Sequence, residues 1–356
     1  MRHNSGIALK SSSRKQRGKP VAEALRVRGT GLTDARLGQI VRLLADHAMV
    51  VVSGTKLADE IGSSRSEVWR LIQQLRASGV RIAGHPATGY QIENVPDLLL
   101  PEFLGPALKG TIFGERIHHY FRIGSTNAEA MQAASDGAPE GSVFVAEEQT
   151  AGRGRGGHGW HSARSAGIYC SVVLRPAVPP ADVLVLSLAA GLAVRAAVQQ
   201  VTGLTADLRW PNDLLLDGKK FCGILIEMNA EATRVRYAVV GVGMNVNHES
   251  FPASIEALAT SLRIQGGRSW SRVELAAALL KSLDREYRAL LKPEGRDAAR
   301  RRFEESSSSV RGRQVRVEED GGYDGVTEGL EERGFLRVRT DAGMRTVLSG
   351  GVREKD

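Results

Sequence analysis

Apolar residues take up a helical spacing from Leu32 onward. Leu37, Ile40, Val41 and Leu44 stand at i, i+3, i+4 and i+7, the stripe of one buried helix face, whereas residues 1–31 carry no apolar period and read as a basic, disordered tail. A second short helix follows in TKLADEIG, with Leu57 and Ile61 turned inward and Gly62 placed for a left-handed cap. Ser64 and Glu67 then form a capping box, and the next helix points Val68, Leu71, Ile72 and Leu75 at the same core. Helix, short turn, helix is helix-turn-helix spacing, and GVRIAGHPATGYQI adds a two-stranded wing whose turn falls at Pro86 to Gly89. Residues 32–93 are therefore expected to form one module. Its last helix leaves Arg65, Ser66, Trp69, Arg70 and Gln73 on the outer side, a set suited to phosphate and base-edge contacts. The same face would also serve protein contact or dimerisation; the wing favours DNA.

A Pro-punctuated stretch, VPDLLLPEFLGPAL, leads into a longer region, 94–308, where strand-like and helix-like segments alternate. GSVFVAEE, GIYCSVVL, TADLRWP, FCGILIEMN and RYAVVGVGMNV read as strands, and VLVLSLAAGLAVRAAVQQV as an apolar helix that packs across them. Ser271 and Glu274 open another capping box ahead of a long amphipathic helix. After SSSSV the pattern changes to short glycine-separated strands, so 309–356 is expected to be a small β-barrel of the SH3 type. The fold class is thus α/β (α+β) multidomain: a winged helix-turn-helix, a central mixed sheet with helices, and a terminal barrel.

The length of 356 residues accommodates three such parts. No apolar stretch is expected to reach the roughly 20 residues of a membrane span, the basic N-terminus lacks the apolar core of a secretory signal, and the cytoplasm is the default location. A formal charge of +8 permits nucleic acid or an acidic protein as partner, although much of the excess sits in the tail and between Arg296 and Arg302. Cys170 and Cys222 lie in apolar runs and are expected to be inert core residues.

Chemistry concentrates in four places. The run GRGRGGHGW, Gly152 to Trp160, can wrap an anion: glycine lets backbone N–H groups come close, and Arg153 and Arg155 supply planar charged forks around Gly154. Its spacing matches neither a P-loop nor a dinucleotide fingerprint, and composition alone leaves a basic surface linker open. Upstream, Ser125, Thr126 and Asn127 offer neutral hydrogen-bonding groups at a helix start, and Gln149 precedes the loop. Downstream, Asn212 and Asp213 are oxygen donors suited to phosphates or magnesium, and an Asp217-Gly218 hairpin turn projects Lys220 from a rigid strand with Lys219 on the opposite face. In VVGVGMNVN, Gly241 and Gly243 permit close backbone approach, with Asn245 beyond. No GxSxG elbow and no HExxH or paired Cys/His spacing is present, which disfavours a serine hydrolase and a metal held by protein alone. The inventory suits activation of a carboxylic acid by a nucleotide.

In this order, STN, QTAGRGRG, WPND with a lysine ten residues after its tryptophan, GIL, GVGMNVN and a closing LSGGV, over about residues 33–352, the chain resembles the biotin–protein ligases, in particular the bifunctional biotin operon repressors. The resemblance implies a class II synthetase-like central domain and a two-step reaction. Biotin and MgATP form biotinyl-5′-AMP, and a lysine of the biotin carboxyl carrier protein of acetyl-CoA carboxylase then takes the biotinyl group. It further implies that Ser125, Thr126, Asn127 and Gln149 recognise the ureido ring, that Arg153, Gly154 and Arg155 fold over the adenylate, and that Lys220 holds the carboxylate oxygen. Gly223, Gly241, Gly243 and Asn245 would line the pocket, Asn245 on the side of MgATP with Asn212 and Asp213. Operator DNA and a homodimer formed on adenylate binding are the implied partners. A ligase whose winged module no longer regulates transcription, a lipoate–protein ligase and a sensor without turnover are the alternatives; the GRGRG signature and attached winged helix speak against lipoate, and Lys220 with the arginines against a sensor. One departure stands out: Gly156-Gly157-His158 replaces a second basic piece, so the far end of the clamp is expected to order at a larger entropy cost, with Gly156→Arg retaining adenylate better.

Overall fold

The computed structural model describes residues 35–355 apart from 86, 95, 320 and 349–350. The expected basic tail, the start of the first helix at Leu32 and Pro86 of the wing turn lie outside the described residues. Helices α1 (Ala35–Asp46), α2 (Gly54–Glu60) and α3 (Arg65–Ala77) precede strands β1 (Ile82–His85) and β2 (Gly89–Ile92), which pair antiparallel as a wing. The stripe read from the sequence forms the core of this module, with Leu37, Ile40, Leu57, Val68, Leu71, Ile72 and Leu75 all buried. Ser64 caps α3 by accepting from the Glu67 backbone N–H at 3.2 Å. The Glu67 side chain does not reach back to complete the box; it binds Arg70 and pairs with Arg36.

Next come α4 (Pro101–Ala107), β3 (Ile117–Tyr120), α5 (Thr126–Ser135), β4 (Val143–Ala146), β5 (Gly167–Leu174) and α6 (Leu184–Thr202). These are followed by β6 (Asp207–Arg209), β7 (Asp213–Leu216), β8 (Lys219–Ala230), β9 (Val235–Asn245), α7 (Leu262–Gly266), α8 (Arg272–Leu290) and α9 (Gly295–Glu305). Seven strands form one sheet in the order β3-β4-β5-β9-β8-β7-β6. Only β3 and β4 run parallel, so the sheet is mixed. Helix α5 covers one face with a small alanine-rich core (Ala130, Ala133, Ala134), which lets its N-terminus sit close to the strands. Helices α6 and α8 cover the other face within the main core.

The expectation about membrane length needs correction. The 23 residues Pro180–Thr202, which include α6, are long and apolar enough to cross a bilayer. The physical reason is burial of most of its surface: α6 lies between sheet and α8, and 72% of its apolar window is inside the protein, so little selects for a polar face.

Strands β10 (Arg311–Val317), β11 (Tyr323–Leu330), β12 (Leu336–Thr340), β13 (Gly343–Val347) and β14 (Val352–Glu354) close the chain as a five-stranded antiparallel sheet. Its apolar residues join the central core, and Trp210 donates its indole N–H to Gly334 O at 2.9 Å. The tryptophan of the WPND run therefore anchors the terminal domain.

Candidate active site

The polar start of α5 is buried against the sheet. Ser125 caps the helix from its side-chain oxygen, and Ser125, Thr126 and Asn127 are all buried. Buried polar groups need partners, and here they find one another. Gln149 Oε1 accepts from the Thr126 backbone N–H at 2.8 Å and from its hydroxyl at 3.1 Å, while Gln149 Nε2 donates to Ser162 Oγ at 3.0 Å. Ser171, on β5, lies 2.8 Å from Thr126 Oγ1 and 2.6 Å from Asn127 Oδ1.

Across from this row, glycines on β8 and β9 keep the strands bare. A β-carbon on Gly241 would fall 2.0 Å from Asn127 Oδ1, and one on Gly243 would fall 2.5 Å from Trp160 Nε1. Gly223 faces Lys220 and Trp160 in the same way. Because Asn127 is tied by several hydrogen bonds, it cannot swing aside for a methyl group. Gly241→Ala should therefore strain the row, lower thermal stability and raise the KM for the substrate held there at least about tenfold, ~1.4 kcal/mol; an unchanged KM would show that the contact is not part of the site.

Lys220 owes its position to a bulge. In the β7–β8 hairpin, Leu216 faces Lys219 and Leu215 faces Lys220, but Leu214 faces Cys222, so Phe221 is an extra residue in β8. Such an insertion bends the strand and re-aims the neighbouring side chain. The Lys220 backbone is pinned further by Leu258 O and by the Thr260 N–H. Its ammonium forms an ion pair with Asp213 at 2.6 Å and lies 5.5 Å from the centre of the Trp160 ring. Asp217 and Gly218 both have positive φ, as the two-residue turn requires.

The glycine-rich loop is a small hairpin. Gly154 donates to His158 O at 2.7 Å, Arg153 faces Gly159 across a bridge, and Arg155–Gly157 make a single 3₁₀ turn. Gly156 and Gly157 have φ of 68° and 81°, in the left-handed region. The Gly156→Arg variant expected to hold adenylate better would thus carry a β-carbon at a strained position, a cost set against any gain from its charge.

One pocket gathers Ser125, Thr126, Asn127, Gln149, Arg153, Gly154, Arg155, Lys220, Gly223, Gly241 and Gly243, together with Asn212. Asp213 and Asn245 are not in its lining: Asp213 stands behind Lys220, and Asn245 donates to Thr260 O at 3.1 Å, tying the end of β9 to the segment that pins Lys220. Trp160 and Ser171, and Cys170, which is expected from the sequence only as a core residue, also line the pocket. An aromatic directly after the glycine run was the available signal for Trp160; Ser171 gave none, being one more small residue in an apolar strand. Burial pushes the Cys170 thiol up to about 12 and the Cys222 thiol further, so neither is a nucleophile at neutral pH. Among the described residues no group of three or more His, Cys, Asp or Glu side chains is close enough to hold a metal ion.

On the winged module, Arg65, Ser66, Trp69 and Arg70 are exposed on α3 and Gln73 is half-buried. Arg70 holds Glu67 with two hydrogen bonds of 2.8 and 2.6 Å, so contact with a phosphate there requires an exchange of partners.

Buried neutral hydrogen-bonding groups beside exposed arginines and a strand-borne lysine make the site of a protein that can hold a neutral polar group next to an anion, the site the resemblance to the biotin–protein ligases implies, here carried with a helix-turn-helix module. The comparisons agree segment by segment. Residues 121–245 match the biotin/lipoate A/B protein ligase family, residues 36–91 an HTH domain and residues 311–352 the biotin protein ligase C-terminal domain. The chain is 33% identical over 316 residues to the bifunctional ligase/repressor BirA of Bacillus spizizenii, covering 88% of this chain and 97% of that protein. It is 38% identical over 234 residues to the biotin–[acetyl-CoA-carboxylase] ligase of Mycobacterium tuberculosis, covering 64% and 84%. Among solved structures, the biotin protein ligase of Aquifex aeolicus in complex with biotin and ATP superposes with a TM-score of 0.59 at 28% identity, covering 68% of this chain and 100% of that one. The chain belongs to the family of bifunctional biotin ligase/repressors.

Proposed function

We propose that this chain is an ATP-dependent biotin–protein ligase that also acts as a DNA-binding repressor. The observation that carries the reading is the meeting of Arg153, Arg155 and Lys220 with the Ser125–Asn127 row and Gln149 around one pocket. The neutral row takes the ureido ring. In the first step a biotin carboxylate oxygen attacks the α-phosphorus of MgATP, the bond to the β-phosphate oxygen breaks, and pyrophosphate leaves. Lys220 exchanges Asp213 for the carboxylate and phosphoryl oxygens, and fixed positive charge there is worth more than in bulk water. Arg153 and Arg155 close over the mixed anhydride and keep water from it. Asn212, at the pocket edge, and Asp213, next to Lys220, serve the MgATP side. In the second step the amine of a carrier-protein lysine attacks the acyl carbon, AMP departs and an amide forms. With a carrier protein and DNA as the proposed partners, the cytoplasm is the compartment this reading implies.

Mass spectrometry of a biotin carboxyl carrier domain after incubation with the full chain, biotin and MgATP should show one biotinyl adduct on one lysine. An adduct from lipoate and none from biotin would overturn the substrate assignment.

A homodimer formed on adenylate binding belongs to the same proposal, and an open sheet edge offers a surface on which two copies could pair. Strand β7 pairs with β8 only as far as Gly223, and Met228, Asn229 and Ala230 of β8 are exposed beyond it. Two copies would present two α3 helices to a twofold operator. Binding to such an operator should weaken with salt through counterion release, and Arg65→Ala should reduce both affinity and salt slope by about one phosphate contact; mobility shifts at two salt concentrations, with biotin and MgATP present, measure this. Equal slopes for the variant and the parent would remove Arg65 from the interface.

A further inference from the structure

Asn127 is held from both ends of its amide. Its Nδ2 donates to Glu227 Oε2 at 2.9 Å and approaches Leu225 O at 3.4 Å, both on β8, while its Oδ1 lies 2.6 Å from the Ser171 hydroxyl. A carboxylate only accepts hydrogen bonds, so Glu227 decides which end of the amide carries the donor. The consequence runs along the row. Asn127 Oδ1, Ser171 Oγ, Thr126 Oγ1 and Gln149 Oε1 make three successive oxygen–oxygen contacts of 2.6, 2.8 and 3.1 Å. Those contacts share only two hydroxyl protons, because Gln149 turns its own NH₂ toward Ser162. The row is one proton short.

We propose that Glu227 is a positioning residue for substrate recognition: by fixing the Asn127 amide with its oxygen inward, it keeps the pocket floor rich in acceptors and so selects a ligand that brings N–H donors, as a cyclic urea does. With the amide reversed, its NH₂ would supply the missing proton, and the row would be satisfied without a ligand. The inference rests on the biotin reading above and deepens it. Glu227 does not line the pocket and acts only through Asn127.

Pyrophosphate release by the full chain, with biotin and MgATP varied separately, tests it. Glu227→Ala should raise the KM for biotin about tenfold and leave the KM for ATP within twofold. In Glu227→Gln the new side-chain oxygen still accepts from Asn127, and most of that loss should be recovered. Asn127→Asp sets two carboxylates against each other and should also raise the KM for biotin at least tenfold. Adding Glu227→Gln to it restores a donor–acceptor pair of the same shape with the inward acceptor kept, so the double variant should regain several-fold over Asn127→Asp alone. This pair of variants decides the matter if Glu227→Ala fails to fold. A biotin KM within twofold of the parent in Glu227→Ala, equal rises for biotin and ATP, or a double variant no better than Asn127→Asp would overturn the proposal while leaving the ligase reading intact. A parent protein that makes no adenylate from biotin would sink both.

Discussion

Lys220→Ala should lower adenylate formation by about 10²–10³-fold and leave the folded protein nearly as stable as before. The side chain is one-third exposed and Asp213, its ionic partner among the described residues, is itself only part-buried as a side chain, so its removal opens no cavity in the core. Chemistry loses far more, since the ammonium is held by a bulged strand at a fixed place beside the pocket, where charge develops on the carboxylate and phosphoryl oxygens. Stopped assays of pyrophosphate release and of biotinyl-5′-AMP, beside a thermal melt, measure both halves. Pyrophosphate release at the parental rate would remove Lys220 from the mechanism, and a collapsed melt would make it a structural residue.

The second large effect is expected at Glu147, which is 1% exposed and faces Arg272, also 1% exposed, at 2.7 Å. Glu147 also meets His119 at 3.1 Å, the Leu99 backbone N–H at 2.9 Å and the Ser165 hydroxyl at 3.2 Å. Arg272 in turn donates to Gly167 O and to the backbone of Asp97, and Asp97 caps the first N–H groups of α8. One ion pair thus holds the linker below the winged module, the start of α8, β3, and the segment leading out of the glycine clamp. Glu147→Ala leaves the buried Arg272 charge with Asp97, at 3.3 Å, as its remaining carboxylate and should destabilise the chain by about 3 kcal/mol, read as a lower midpoint in urea. A loss below about 1 kcal/mol would mean that the pair behaves like a surface contact.

The same pair predicts a pH dependence. Burial alone would raise the Glu147 carboxyl, but the Arg272 guanidinium and the His119 hydrogen bond override it and hold it at about 2, against 4.5 for an ordinary glutamate. A depressed carboxyl stabilises the fold fully above the unfolded value, and that contribution is lost as pH falls from about 4.5 toward 2. Urea midpoints of the parent should fall through this window, and those of Glu147→Ala should fall less; parallel curves would show that other groups govern acid unfolding.

These two residues mark the difference in legibility. Lys220 was readable because a turn signal, Asp217-Gly218, set its place on a strand and alternation separated it from Lys219. The bulge at Phe221 was not, since nothing local distinguishes one apolar residue paired from one left over. Glu147 and Arg272 went unnoticed because charged residues are ordinarily solvated, and their pairing depends on segments 125 residues apart in the chain. Ser171 and Glu227 were silent for the same reason: a serine in a strand and a glutamate near a strand end look the same whether or not they order the protons of a pocket. Asn245, the candidate for the MgATP side, also braces a neighbouring segment through its amide N–H, a contact its own motif does not announce because the register that aims it is decided by β5.

Sequence alone determined the kinds of element, the three-part order and the chemistry available, because helix period, caps, turn residues and glycine spacing act over a few residues and leave local marks. Tertiary structure decided which side chains meet: the apolar helix proved to be core because two layers cover it, the arginines and the lysine came to share one pocket because distant loops converge on β8 and β9, and the proton order of the pocket floor followed from a carboxylate a hundred residues from the amide it holds. Such contacts depend on register, burial and approach in three dimensions, and short-range spacing carries no record of them.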